Sequence, residues 1–196
     1  MSLLRTDATR PMTLTEFLDW EDRQELKHEF DGYGPIAMSG GTVAHAIIQA
    51  NLAMVLGSRL RGHPCRFYGS DMKIEVMGRI RYPDGMVSCT TQARDGKILR
   101  EPVVLFEVLS DSSGSTDLVA KNHEYAATPS VRRYIVLAQD RIGGTMFERV
   151  GDDWVGHLIG TETLIAMPEI GIAVPMAEFY EGLAFDPDPV SATASL

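Results

Sequence analysis

The chain has 196 residues, 44% hydrophobic and 23% charged, which is ordinary for a soluble globular protein and long enough for one domain with a full core. Its net charge of −9 argues against a broadly basic nucleic-acid-binding surface, although bound divalent cations would offset part of an acidic cleft and basic residues can still cluster locally. The longest apolar stretches are far short of a bilayer span, and neither a repeat nor a low-complexity tract is present.

Residues 1–11 read as a loose arm without the long apolar region of a secretory signal, so a cytoplasmic protein without membrane attachment is expected. Thr13, with Glu16 three residues on, forms a capping-box signature for a short helix through about Trp20. The Gly- and Pro-punctuated stretch KHEFDGYGPIAMSG reads as a hairpin. A long helical pattern follows Gly40-Gly41-Thr42, with Val43, Ile47, Ala50 and Met54 predicted to face a sheet. That helix is expected to end near Gly62, with Arg59 and Arg61 in its last turn.

Three strand candidates come next, FYGSDMKIEV, RYPDGMVSC and PVVLFEVLS. In the first, Met72, Ile74 and Val76 alternate with Lys73 and Glu75, a pattern with one buried face. The third is apolar almost throughout, as a central strand is. Ser112 to Thr116 read as a polar loop, STDLVAKNHEYAAT as a helix ending before Pro129, and VRRYIVLAQD as another strand. TMFERVGDDWVGHLIG carries a hairpin signal around Gly-Asp-Asp. The predicted organisation is one α/β domain over residues 12–185 with a mixed sheet, followed by a flexible tail over 186–196. Cys65 and Cys89 lack metal-ligand spacing and are expected to be reduced thiols.

Asp84, Glu107 and Lys121 carry the chemistry. Glu107 interrupts the apolar run VVLFEVLS, where a carboxylate is costly unless paired, protonated or holding a cation. Asp84 follows a proline at the start of the preceding strand, and Asp117, Lys121 and Tyr125 share one face of the next helix at i, i+4 and i+8. Two hard oxygen donors with a lysine suit magnesium or manganese acting on a phosphate. Each residue also has a bland reading: Asp84 as a turn residue, Glu107 as an edge-strand carboxylate, Lys121 as an exposed helix lysine. Three bland readings in the right order are less economical than one shared site. The five histidines form no zinc pattern, and no P-loop, GxGxxG or nucleophile elbow is present, although Ser110, Ser112 and Ser113 precede His123.

YPDGMVSC, PVVLFEVLS and TDLVAKNHEY, in this order and spacing, resemble the Uma-two family of the PD-(D/E)XK nuclease superfamily. The likeness runs from about Leu14 to Leu183 and includes EFDG, the His45 helix and VRRYIVLAQD. It implies a restriction-endonuclease-like α/β fold, a mixed sheet flanked by helices with additional hairpins. It implies an endonuclease in which Asp84 and Glu107 bind Mg2+ or Mn2+, Glu29 can complete the metal site, and Lys121 takes the place of the usual lysine, whose position falls on Leu109. His45 matches a helix histidine near the pocket, and Asp117 and Tyr125 are further candidates beside the site. The sequence departs from the pattern in LSDSSGSTD, where a proline-containing loop is usual, and at Gly85, where a larger β-former is usual. DNA is the implied substrate, and a homodimer is expected from the apolar hairpin and the long apolar helix. Two alternatives stay open: an inactive binding or assembly module of the same fold, and a metal-dependent hydrolase of a small phosphorylated substrate.

Overall fold

A computed structural model describes residues 10–38, 40–109 and 115–185, and for 115–117 the backbone alone. Most of the expected arm, the Ser112–Thr116 loop in large part and the tail after residue 185 lie outside the described residues. The first helix, α1 (Leu14–Glu21), begins with the capping box expected at Thr13 and Glu16. The hairpin β1 (His28–Phe30) and β2 (Pro35–Ala37) leads into α2 (Val43–Arg59), capped by Thr42. There follow β3 (Arg66–Gly69), β4 (Lys73–Val76), β5 (Arg79–Arg81), β6 (Gly85–Ser88), β7 (Ile98–Leu99) and β8 (Pro102–Val108). The helix α3 (Ser115–Ala126) leads to β9 (Arg133–Leu137), then to the hairpin β10 (Gly143–Val150) and β11 (Asp153–Gly160). A small pair, β12 (Leu164–Met167) and β13 (Ile172–Pro175), closes the described chain with two 3-10 turns.

The predicted fold class holds, with a division that the sequence does not announce. Two of the expected strands each break into two pieces that belong to different sheets. FYGSDMKIEV turns at Gly69, where the Met72 N–H donates to the Gly69 carbonyl, and becomes β3 and β4. RYPDGMVSC breaks at Pro83, which lacks a donor to continue a ladder, and becomes β5 and β6. The pieces join a five-stranded sheet ordered β2-β1-β5-β4-β7 and a six-stranded sheet ordered β11-β10-β9-β8-β6-β3. Asp84 therefore stands at the crossing between the sheets. Central β8 runs parallel to β9 and antiparallel to β6, as its nearly continuous apolar sequence requires.

Alternation along β8 sorts the core. Val104, Phe106 and Val108 pack toward α2 and the β12–β13 segment, while Leu105 joins Tyr125, Tyr134 and Val136 on the α3 side. Glu107 shares the parity of Leu105 and faces α3. The expected buried face of α2 is corrected: Ile48, Leu52, Val55 and Leu56 are buried, whereas Val43 is 77% and Met54 61% exposed. The helix is apolar on several sides, so periodicity alone leaves its rotation open. Lys73 is not on a solvent face as expected; it is buried against the Glu21 carboxylate. The expectation of two free thiols is also corrected, since Cys65 and Cys89 form a disulfide. The β3–β6 register pairs Arg66 with Ser88, which sets these two cysteines opposite each other one step further on. Gly85 is explained by packing: a Cβ there would meet the Phe67 ring at 2.8 Å.

Candidate metal centre

Five elements deliver side chains to one place under α3. Glu107 comes from the C-terminal end of β8, and Lys121 and Tyr125 come from the inward face of α3. The Lys121 ammonium lies 3.2 Å from Glu107 Oε1, and the Tyr125 hydroxyl donates to the same oxygen at 3.2 Å. From β1, Glu29 brings Oε1 to 3.3 Å from the Lys121 ammonium. Asp84 reaches the end of β8, where its Oδ2 accepts the Val108 N–H at 2.6 Å. From α2, His45 Nε2 lies 3.3 Å from Asp84 Oδ1, and the Gln49 amide donates to that oxygen at 2.6 Å. Asp117 lies in the first turn of α3, and its side chain is outside the described residues.

Three carboxylates, Asp84, Glu107 and Glu29, face Lys121, Arg81 and His45 here. Burial pushes the Glu107 carboxyl up; Lys121 pulls it back, and Asp84 and Glu29 push it up further, to about 7. The Asp84 hydrogen bond raises His45 above the usual imidazole range, against the opposing effect of its burial. Burial and the neighbouring Glu107 raise the Tyr125 hydroxyl well above its ordinary value, which keeps it a donor.

Two features were not apparent in the sequence. Gln49 is one; its only signal is its position one turn beyond His45 on the same helical face. The other is Arg81, whose guanidinium spans Glu29 Oε2 at 3.1 Å and Glu124 Oε2 at 2.7 Å. Glu29 also accepts the Tyr82 N–H at 3.1 Å, so in this structure it is an ion-pair partner of Lys121 and Arg81. A cavity of about 320 Å3 lies elsewhere, lined in part by Glu21, Met72, Lys73, Tyr82 and Lys97. Its buried groups satisfy one another, since Glu21 accepts from both Lys73 and Tyr82.

Among the described residues, no three His, Cys, Asp or Glu side chains form a ready-made metal-ligating cluster. The donor chemistry nevertheless fits a hard divalent cation that takes few protein ligands and retains water. Both described hydrogen bonds to Glu107 fall on Oε1.

A model of the Uma2 family, described as "Putative restriction endonuclease", matches residues 14–177. The uncharacterized protein slr1290 of Synechocystis sp. is 30% identical over 174 residues, covering 87% of this chain and 92% of that protein. The uncharacterized protein sll1609 of the same organism is 25% identical over 150 residues, covering 74% of this chain and 85% of its own length. A protein of Anabaena variabilis, described with its crystal structure as "a putative nuclease belonging to DUF820", aligns with a TM-score of 0.71 at 17% identity. That alignment covers 87% of this chain and 98% of the other, and it establishes a shared fold. Among the described residues no helix is long and apolar enough to cross a membrane.

Proposed function

The chain belongs to the Uma2 family, and from that premise we propose that it is a magnesium- or manganese-dependent endonuclease that hydrolyses DNA phosphodiester bonds. Asp84 and Glu107 would hold the cation. When bound, it supplies Lewis acidity that lowers the pKa of water and offsets phosphodiester charge. The Lys121 ammonium, steadied between Glu29 and Glu107, orients the attacking water and stabilises charge developing on the phosphate. Tyr125 fixes Glu107 by donating to Oε1, and the Val108 N–H with Gln49 fixes Asp84. The observation that supports this reading best is Glu107 itself, a buried carboxylate raised to about 7 with a lysine in contact.

Plasmid cleavage in magnesium by the wild type, Asp84→Ala and Lys121→Ala tests the reading. Both variants should lose cleavage by at least about 100-fold, the scale of a lost electrostatic stabiliser. Equal cutting by all three would overturn it. The net charge of −9 favours a second reading, hydrolysis of a small phosphodiester. Turnover of a model aryl phosphodiester with intact plasmid would select that substrate class.

A homodimer fits the same reading. Leu158 is 90% exposed on β11, the outer strand of the six-stranded sheet, and a second copy is the proposed occupant of that edge. Light scattering should give twice the chain mass; a monomer mass would remove the dimer from the account.

A further inference from the structure

The helix that carries Lys121 is seated mainly by directional polar contacts. Among the described residues of α3, Lys121, Glu124 and Tyr125 are the buried ones, and two of them are charged. Leu118 and Tyr125 are its apolar contributions to the core on that side of the sheet. Apolar packing is non-directional, and with few side chains it leaves the rotation and axial position of a helix loosely defined. Hydrogen bonds define them more sharply.

The β10–β11 hairpin supplies such bonds at two places on α3. Arg149 and Trp154 stand opposite each other in the register and so share one face of the sheet. The Trp154 indole N–H, which can only donate, reaches Asn122 Oδ1 at 2.9 Å. The Arg149 guanidinium donates to the Ala126 carbonyl at 2.5 Å, at the end of α3, and lies 5.3 Å from the centre of the Trp154 ring. Trp154 also lies parallel to Phe147, which stacks on Tyr134. Tyr134 meets Tyr125 edge-on, and Tyr125 donates to Glu107. Gly156, opposite Phe147, leaves room for this stack, since a Cβ there would meet the Phe147 ring at 2.9 Å.

We propose that Trp154 is a positioning residue for Lys121: it holds Asn122, the next residue along α3, while Arg149 holds the end of the helix, and together they set the turn from which Lys121 reaches between Glu29 and Glu107. The proposal rests on the reading of Lys121 as the group that acts on the phosphate. The Lys121 ammonium stands 3.3 and 3.2 Å from the two carboxylates, so its placement depends closely on where the helix sits. A displacement of about 1 Å costs a reacting group up to about 100-fold in rate.

The test uses Trp154→Phe, which keeps a ring beside Phe147 and Arg149 and removes the donor to Asn122, and Asn122→Leu, which removes the same bond from the other side. Lys121 is one of four lysines, with Lys27, Lys73 and Lys97, so the ε-methylene signals of isotope-labelled lysine can be followed separately by NMR, and Lys121→Ala assigns its own. In the wild type the two ε protons of an anchored Lys121 should be inequivalent. Both variants should collapse that inequivalence and leave in place the signal of Lys73, which is buried against Glu21 and reports that the fold is intact. An unchanged Lys121 signal, or a change that Lys73 shares, overturns the proposal. In plasmid cleavage, Trp154→Phe should lower kcat roughly tenfold with KM unchanged, and the loss should vanish in the Lys121→Ala background, where no ammonium remains to be placed. An equal loss with and without Lys121 also overturns the proposal. Equal cutting by wild type and Lys121→Ala, or none by either, rejects the nuclease role of Lys121 instead, and the lysine spectrum then decides the positioning by itself.

Discussion

Two carboxylates meet at α3 in similar burial and end on opposite sides of their ordinary value. Glu124 is fully buried, yet hydrogen bonds from Arg81 at 2.7 and 2.8 Å, with another from Arg79, hold it below the usual glutamate value. Glu107 is also deeply buried and stands at about 7. The difference lies in the neighbours. Two guanidinium groups surround Glu124, whereas Glu107 shares one ammonium with Glu29 and adds the field of Asp84. Burial alone therefore does not mark a functional carboxylate. A buried carboxylate supplied with matching cations behaves as a fold-stabilising group, and one left short of them is the candidate for the cation site proposed above.

The largest effect should come from breaking the balanced side. Glu124→Ala leaves Arg81 without its bidentate partner, and a denaturant melt should show a loss of about 3–5 kcal/mol. Wild-type-like stability would mean that the network contributes nothing net.

The next effect is a dependence on pH in chelator. Glu107 stands at about 7 in the folded chain against 4.5 for an ordinary glutamate, so the folded state holds this proton more tightly. The stability it contributes is complete below pH 4.5 and is lost as the pH rises through about 7, a fall of about 3 kcal/mol in that window. His45, also raised, acts in the same direction, its contribution fading as the pH climbs past its folded value. Denaturation midpoints between pH 4.5 and 8 in wild type and Glu107→Gln measure the difference; equal slopes would contradict the assignment to Glu107.

The smallest stability effect belongs to Glu107→Gln near neutral pH. The amide oxygen can still accept from Lys121 and Tyr125, so stability in chelator should stay within about 1 kcal/mol of wild type. Plasmid cleavage by the same variant should nevertheless fall by at least about 100-fold. A variant that loses stability and activity together would place Glu107 with Glu124 as a structural group.

Much of the arrangement is legible in the chain because it is local. A single glutamate within VVLFEVLS identifies a buried strand carboxylate, and the spacing of Lys121 and Tyr125 puts them on one face of α3. What escapes is non-local or degenerate. Two of the expected strands each cross between sheets, and an apolar run carries no mark of which sheet each half will join. The α2 face is misjudged because Val43, Ala50 and Met54 continue the apolar pattern that Ile48, Leu52 and Val55 bury. The Arg81–Glu29 contact spans 52 positions, and the Cys65–Cys89 pairing depends on the β3–β6 register. Gln49, a neutral residue in mid-helix, gains meaning only when Asp84 arrives beside it.

The central proposal is that Asp84 and Glu107 together bind a hard divalent cation. Thermal melting at pH 8 with and without millimolar manganese tests it most directly, because a ligand that binds only the folded state raises the melting temperature. Manganese should raise the wild-type midpoint by several degrees and leave Glu107→Gln unmoved. An absent shift in the wild type, or an equal shift in both proteins, would contradict the account.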